Sequence, residues 1–306
     1  MSYAMKYFNN LGDLLKEYRE LFSLNQEDFA EQLDTNLKTY QRWERNEHPA
    51  KEENLFKISQ ITWIPLHVTK TVNAGMPIYY SVKKRKWSPT KLESKKYFFP
   101  ELLTPTPPDD DGLFIRFAPL DSEEVIKLVK ESDRNIYPSQ NSFRIDTAYR
   151  AHQIAPELNF VVYDLADLVV GHQVCLPLSQ TTYAKIKNGQ MAEGDILPKD
   201  IFNALVLRLG VLYFCAGRGA SASIQHNIIS KNVHILLKYW MQYLRNINLT
   251  LAAHVMNVDG YEVCKNLGMQ LVFEDRQEFQ AIETELPPAI FEARIKDLAK
   301  SLFNLE

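Results

Sequence analysis

The segment Leu102–Gly112 (LLTPTPPDDDG) places three prolines within four positions and follows them with three aspartates and a glycine. Proline fixes φ and lacks a backbone donor, so neither a helix nor a central strand runs through it. The 306-residue chain is thereby cut into two unequal parts, which predicts two domains. The 45% apolar and 24% charged composition is that of a globular protein. No run of 18 apolar residues exists, so no membrane span is expected. The opening MSYAMKYFNNLGD lacks the layout of a signal peptide. The three cysteines, Cys175, Cys215 and Cys264, are odd in number and far apart. Reduced thiols and a cytoplasmic location are the expectation.

Charge is unevenly spread. From Asn10 to Val68 there are 7 basic against 11 acidic residues, and from Thr69 to Pro100 there are 8 against 1. Low apolar content makes the basic part, with Lys83–Lys86 (KKRK) and Lys91–Lys96, read as linker. It is either a solvated charge run or a supplier of phosphate contacts.

In the first part, Leu11, Leu14, Leu15, Tyr18 and Phe22 follow the spacing of one helix face. A second helix is predicted from a cap at Asn25, with Glu27 and Asp28 in its first turn and Phe29, Ala30 and Leu33 buried. Asp34-Thr35-Asn36 breaks the pattern, and a third helix runs from a cap at Asn36 with Tyr40 and Trp43 inward. Leu55, Ile58, Ile61 and Ile64 give a fourth stripe. Two short helices around a three-residue turn form a DNA-reading unit.

The stretch from Leu24 to Asn46 (LNQEDFAEQLDTNLKTYQRWERN) resembles the Cro/repressor (XRE) helix-turn-helix family. Gln26 stands where the family opens its second helix, and Arg42-Trp43-Glu44 matches the end of the recognition helix. Asp34 replaces the usual turn glycine, and Asp tolerates the left-handed conformation better than most residues. The resemblance implies a double-stranded DNA operator as partner. It puts Leu37, Lys38, Gln41 and Arg42 toward bases, and Gln26, Asn36 and Arg45 toward phosphates. Arg42 suits a guanine edge, and Leu37 a thymine methyl. The module's acidity favours the rival reading, a protein–protein adaptor.

After Gly112 the pattern alternates between strand and helix. Strands are predicted over Leu113–Leu120, Asn159–Asp164, Leu168–Leu178, Leu205–Ala216 and Leu249–Met256. The second and third form a hairpin turning at Leu165-Ala166-Asp167. Helices are predicted after Asp121 or Ser122, within His226–Leu244, and over Asn257–Gly268. MQLVFED and EFQAIETEL read as a final hairpin, and AIFEARIKDLAKSLF as a closing helix.

This order resembles the GNAT N-acetyltransferases. Val170-Gly171 through Cys175-Leu176-Pro177-Leu178 is similar to the family's third strand, and Asn257, Gly260, Val263, Lys265 and Gly268 match its closing motif. The resemblance implies acetyl-CoA between two splayed strands, Leu205–Ala216 and Leu249–Met256. Its pyrophosphate would sit at a helix N-terminus near Ser230, Lys231 and Asn232, with Asn257 reaching the pantetheine arm. Cys264, or Tyr261 one turn earlier, would be the proton donor. The chain departs from the family in having no glycine or arginine at Ile228–Val233 and no acid in Leu205–Ala216. GRGAS (Gly217–Ser221) is an alternative phosphate turn, and Glu193 and Asp195 are unplaced candidate bases. No nucleotide-binding, serine-hydrolase or paired-cysteine motif is present, and no metal is expected.

The expected organisation is an all-α helix-turn-helix domain over 1–68, a basic then Pro/Asp-rich linker over 69–112, and an α/β GNAT-like domain over 113–306 with a mixed, mainly antiparallel sheet. The function expected is a DNA-binding regulator, as a homodimer. Its body either transfers acetyl from acetyl-CoA to an amine, senses an acyl-CoA or other small ligand without catalysis, or only dimerises.

Overall fold

Three asparagines set the helix starts of the N-terminal region. Asn10 Oδ1 accepts from Asp13 N, Asn25 Oδ1 from Glu27 and Asp28 N, and Asn36 Oδ1 from Thr39 N. Each satisfies donors that the first helical turn leaves unpaired. The resulting helices are α1 (Leu11–Leu21), α2 (Gln26–Gln32) and α3 (Leu37–Glu44), followed by α4 (Glu52–Thr62) and α5 (Leu66–Asn73). A computed structural model of the chain describes residues 5–88, 115–134, 142–242, 248–275 and 286–298. The Leu102–Gly112 segment, Lys91–Lys96 and most of EFQAIETEL lie outside the described residues.

Phe29 is fully buried, stacked on Tyr18 at 5.2 Å and edge-on to Tyr40 at 5.3 Å. Gly12 lets α1 meet α3, since a Cβ there would lie 2.3 Å from the Glu44 carbonyl oxygen. Asp34 takes the left-handed conformation, φ 49°, in the turn between α2 and α3. A left-handed Trp63, φ 58°, ends α4, and Pro65 precedes α5.

The region does not stop at Val68. α5 continues to Asn73, and β2 (Ile78–Ser81) and β3 (Lys86–Ser88) form a hairpin. β2 pairs with β1 (Lys6–Phe8) on its other side. The expected linker over 69–112 is therefore corrected for its first twenty residues. Charge disguised them: Arg85 is buried, with its guanidinium 5.3 Å from the Trp63 ring, and Trp87 is 2% exposed.

The second region is built on a seven-stranded sheet: β4 (Arg116–Pro119), β5 (Phe160–Tyr163), β6 (Val169–Leu178), β7 (Leu209–Gly219), β8 (Asn248–Val255), β9 (Gln270–Glu274) and β10 (Ala289–Arg294). Its order is β4-β5-β6-β7-β8-β10-β9, with β7 and β8 parallel and every other pair antiparallel. Residues alternate across it. Val161, Val174 and Tyr213 join a core with α6 (Glu123–Arg134), α7 (Ile145–Ile154) and α8 (Gln180–Lys187). Leu212, Leu249 and Leu251 join one with α10 (Ala222–Gln242). α11 (Val258–Asn266) lies beside α10 through Val263 and Val233. An α/β domain with a mixed, mainly antiparallel sheet is what is found.

Two local expectations are corrected. The strand expected over Leu205–Ala216 begins as a short helix, α9 (Ala204–Leu207), and only Leu209 onward is β7. AIFEAR is strand β10, not the start of a closing helix, and helical geometry begins at Ile295. β9 pairs with β10 on one side. The run Ala289-Ile290-Phe291 is buried throughout, so it carries no alternation to separate strand from helix.

The two regions share a core. Phe8, Tyr80 and Trp87 belong to the same buried cluster as Phe160, Val162, Val170, Ile224 and Ile228. Trp87 N donates to Ala220 O at 3.0 Å. Arg218, 6% exposed, donates through Nη2 to the carbonyls of Lys84 at 2.9 Å and Arg85 at 3.0 Å, and through Nη1 to Ser132 Oγ at 3.3 Å. Asp164 receives Leu66 N at 3.0 Å, Ala166 N at 2.8 Å and Leu168 N at 3.0 Å. Asp164→Ala strands three buried amides, each worth about 1–3 kcal/mol when unsatisfied. With partial rescue by water, urea denaturation should show a loss of about 2–4 kcal/mol. A loss below about 1 kcal/mol would mean that Asp164 is not what satisfies these amides.

Candidate nucleic-acid interface and ligand cleft

α3 presents one face to solvent. Lys38, Arg42 and Arg45 are exposed, Leu37 is 36% exposed, and Gln41 is half-buried. Its opposite face carries Tyr40 and Trp43 into the core. A polar network fixes α3 on α1 and α2. Glu44 receives Arg19 Nε at 3.0 Å and Tyr40 OH at 3.3 Å, and it also receives Gln26 Nε2. Gln41 Nε2 donates to Gln26 Oε1 at 3.1 Å. Desolvation and the Glu44 charge push the Tyr40 hydroxyl well above its usual range. Asn36 Oδ1 is used as the α3 cap, and Arg45 Nε donates to Gln41 O at 3.2 Å. Gln26, expected only as a phosphate contact, thus also ties α2 to α3. The Arg19–Glu44 pair was missed because its partners are 25 residues apart.

The body has its opening where β7 and β8 part. They pair in parallel from Leu209↔Asn248 to Phe214↔Ala253, and pairing then ceases. Opposite β6, Val174 faces Ala216 while Cys175 faces Phe214, so Cys215 is an extra, bulged residue. A bulge bends the strand that carries it, and here it turns β7 from β8. The cleft, about 180 Å³, is lined by Gly217, Arg218, Gln225, His254, Met256 and Gly260 among others, and by Lys86 from the β2–β3 hairpin. A second chamber of about 180 Å³ shares Asp133, Cys215, Ala216, His254 and Met256 with it. There Glu193, expected as a possible base without a place, receives His254 Nδ1 at 3.1 Å, Tyr213 OH at 3.3 Å and Phe143 N at 3.1 Å. Asp195 instead binds Ala192 N at 3.1 Å, a local turn contact.

Several expected site residues are placed elsewhere. Ser230, Lys231 and Asn232 lie in the interior of α10, whose first residue is Ala222, so their amides are not free to cradle an anion. Ser230 is buried, and Lys231 Nζ lies 5.3 Å from the rings of Phe117 and Phe160. Asn232 is hydrogen-bonded to Gln173. Of the alternative turn, Gly217–Ser221, the residues Gly217–Gly219 are the end of strand β7, and only Ala220 and Ser221 link it to α10. Gly219 is required there, because a Cβ would lie 2.4 Å from Gln225 N. Asn257 Oδ1 caps α11 through Gly260 N at 2.8 Å. Tyr261 OH donates to Pro287 O at 2.9 Å, away from the cleft lining. Cys264 does line the cleft but is 3% exposed, and burial pushes its thiol up to about 12. A thiol so raised is a weaker proton donor than an ordinary one. Lys83–Lys86 and Gly217–Ser221 were each singled out in the sequence, but His254 was not, and nothing in one-dimensional order brings 86, 218 and 254 together.

Residues 15–66 match the helix-turn-helix family. No curated protein matches the chain. The match supports a DNA-binding transcriptional regulator, with α2 and α3 as its two-helix unit. Among the described residues no helix is long and apolar enough to cross a membrane, and no cluster of three potential metal ligands occurs.

The three cysteines are all buried, and burial raises each thiol. A thiol near 12 is about 3000-fold less ionised at neutral pH than one near 8.5. Ellman's reagent at pH 7.5 should therefore label no thiol of the native protein on the timescale of minutes, and three after denaturation. Fast native labelling at Cys264 would restore it as a reactive cleft group.

Proposed function

We propose that this regulator binds an acyl-CoA or closely related small anion in the β7–β8 cleft, and that the occupied cleft sets its affinity for an operator. The observation that carries this reading is Lys86. It comes from the hairpin of the DNA-binding region yet lines the cleft beside Arg218, so one ligand touches both regions. Two cations suit phosphate groups. Gly217 leaves open space, with nothing within 4 Å of where its Cβ would stand. Lys86 and the Gly217 backbone are the groups that would hold a pyrophosphate, in place of Ser230, Lys231 and Asn232, with the buried Arg218 charge behind them. A GNAT-like body is supported by the parting parallel pair, the long crossover helix α10, and the short helix α11 before β9 and β10.

Acetyl transfer to an amine is a second reading, favoured by Glu193 and His254. A carboxylate at 3.1 Å orients the imidazole, which faces both chambers and could take a proton from an incoming ammonium group. Glu193→Gln should then abolish turnover on an amine panel while leaving CoA binding intact. The bound species for DNA is proposed to be a homodimer, because one module reads few bases and two half-sites lie about 10 base pairs apart. Light scattering that finds a monomer with and without DNA would count against it.

On DNA, Leu37, Lys38, Gln41 and Arg42 are proposed base readers. Arg42→Ala should cost about 1–3 kcal/mol of discrimination at one position. Arg45→Ala should weaken all sequences alike. Both are read by binding to a selected operator, and two unchanged variants would reject the assignment.

The linkage is tested by titrating the operator with and without saturating CoA. A change of about fivefold or more is expected. Calorimetry showing CoA bound and operator affinity unmoved would reject the coupling.

A further inference from the structure

Beside the cleft, between α10, α11 and the β7–β8 sheet, lies an apolar pocket of about 160 Å³ that opens to solvent and has Ile295 and Leu298 in its wall. Phe214, Ile229, Ala253, Val263 and Cys264 line both spaces, so only these side chains stand between the two. Leu236, Leu237, Leu251 and Met269 form most of the remaining wall. Its polar members, Gln173 and Asn232, hydrogen-bond to each other, Gln173 Nε2 to Asn232 Oδ1 at 2.6 Å. Their mutual pairing leaves them little call for water.

From this geometry we infer that the cavity is the chain pocket of an amphipathic ligand, a straight acyl chain of about six carbons whose polar end stays in the cleft near Lys86 and Arg218. A closed apolar cavity of about 150 Å³ takes a guest the size of benzene, and by volume alone a pocket of about 160 Å³ sets the length at about six carbons. A compact apolar guest has no polar end to match the cleft, whereas a chain entering past Phe214 and Cys264 connects the two spaces. Met269, unbranched and polarisable, lets the end of the pocket adapt to chain length. This assignment rests on the cleft reading only for the identity of the polar end.

The experiment is calorimetry on the full chain with two series, straight-chain carboxylates and their CoA thioesters, from two to twelve carbons. Affinity should rise about threefold to fourfold per methylene up to about six carbons and then level off. Leu236→Phe and Leu298→Trp fill the cavity from opposite sides. In whichever variant melts cooperatively, the dependence on chain length should flatten. Thioesters that bind equally at every length overturn the chain pocket and leave the cleft reading standing. Carboxylates that bind by length while CoA does not bind support the pocket and overturn the CoA reading. No binding in either series overturns both, and a chain-length dependence unchanged in both variants overturns the location.

Discussion

The arrangement depends on Arg218. Its guanidinium is buried between two regions and donates to two consecutive carbonyls of the β2–β3 turn and to Ser132 on α6. A buried guanidinium must have its donors met, and main-chain carbonyls meet them without adding a second charge. The carbonyls can be offered only if the turn is held, and Arg85 holds it in a left-handed conformation, φ 49°, with its own side chain over Trp63. Trp87 then pairs with Ala220 and fills the shared core. The hairpin that completes the helical region is thus also the surface on which the body is mounted. None of the hydrogen bonds that join the two regions among the described residues involves α2 or α3.

What could be read from sequence was local. The caps at Asn25 and Asn36, the break at Asp34 and the inward Tyr40 and Trp43 each follow from a few neighbouring residues, and the structure has all of them. The hairpin at Leu165–Asp167 is of the same kind, since its two strands are sequential. The three-stranded sheet was invisible for the opposite reason. β1 and β3 have three residues each, and β1 finds its partner some seventy positions away. Lys83–Lys86 was legible as charge but not as structure. A basic run is ordinarily solvated, yet this one includes a buried arginine whose burial lowers its pKa, and a lysine that enters a cleft.

In the body, the sheet was legible and the site was not. Long buried strands announce themselves, but the position of a helix start within an apolar run does not. α10 begins at Ala222, four residues before His226, and that moves every inference about its N-terminus. Ser230, Lys231 and Asn232 were chosen for their chemistry, and they are ordinary interior positions of a long helix. Glu193 illustrates the converse. It lies in a short turn remote from the sheet in sequence, and only folding brings it to His254 and Tyr213.

The bulge at Cys215 joins these threads. One extra residue in β7 ends the pairing with β8, opens the cleft, and starts the diverging stretch that reaches Arg218 three residues later. The strand segment that forms the cleft wall therefore runs directly into the contact that holds the DNA-binding region. Closure of the cleft on a ligand must either leave β7 beyond the bulge where it is or move it. If it moves, the carbonyls of Lys84 and Arg85 move with it, because a buried guanidinium left without acceptors is costly. Main-chain hydrogen bonds and a packed tryptophan transmit displacement better than surface ion pairs, which yield to water. The route from cleft to α3 then passes through β3, β2 and the core around Tyr80, all within one buried cluster. A chain with a flexible tether between its two regions would lack such a route. The second connection, Asp164 to Leu66, closes a loop around the same core and makes α5 part of the rigid mount.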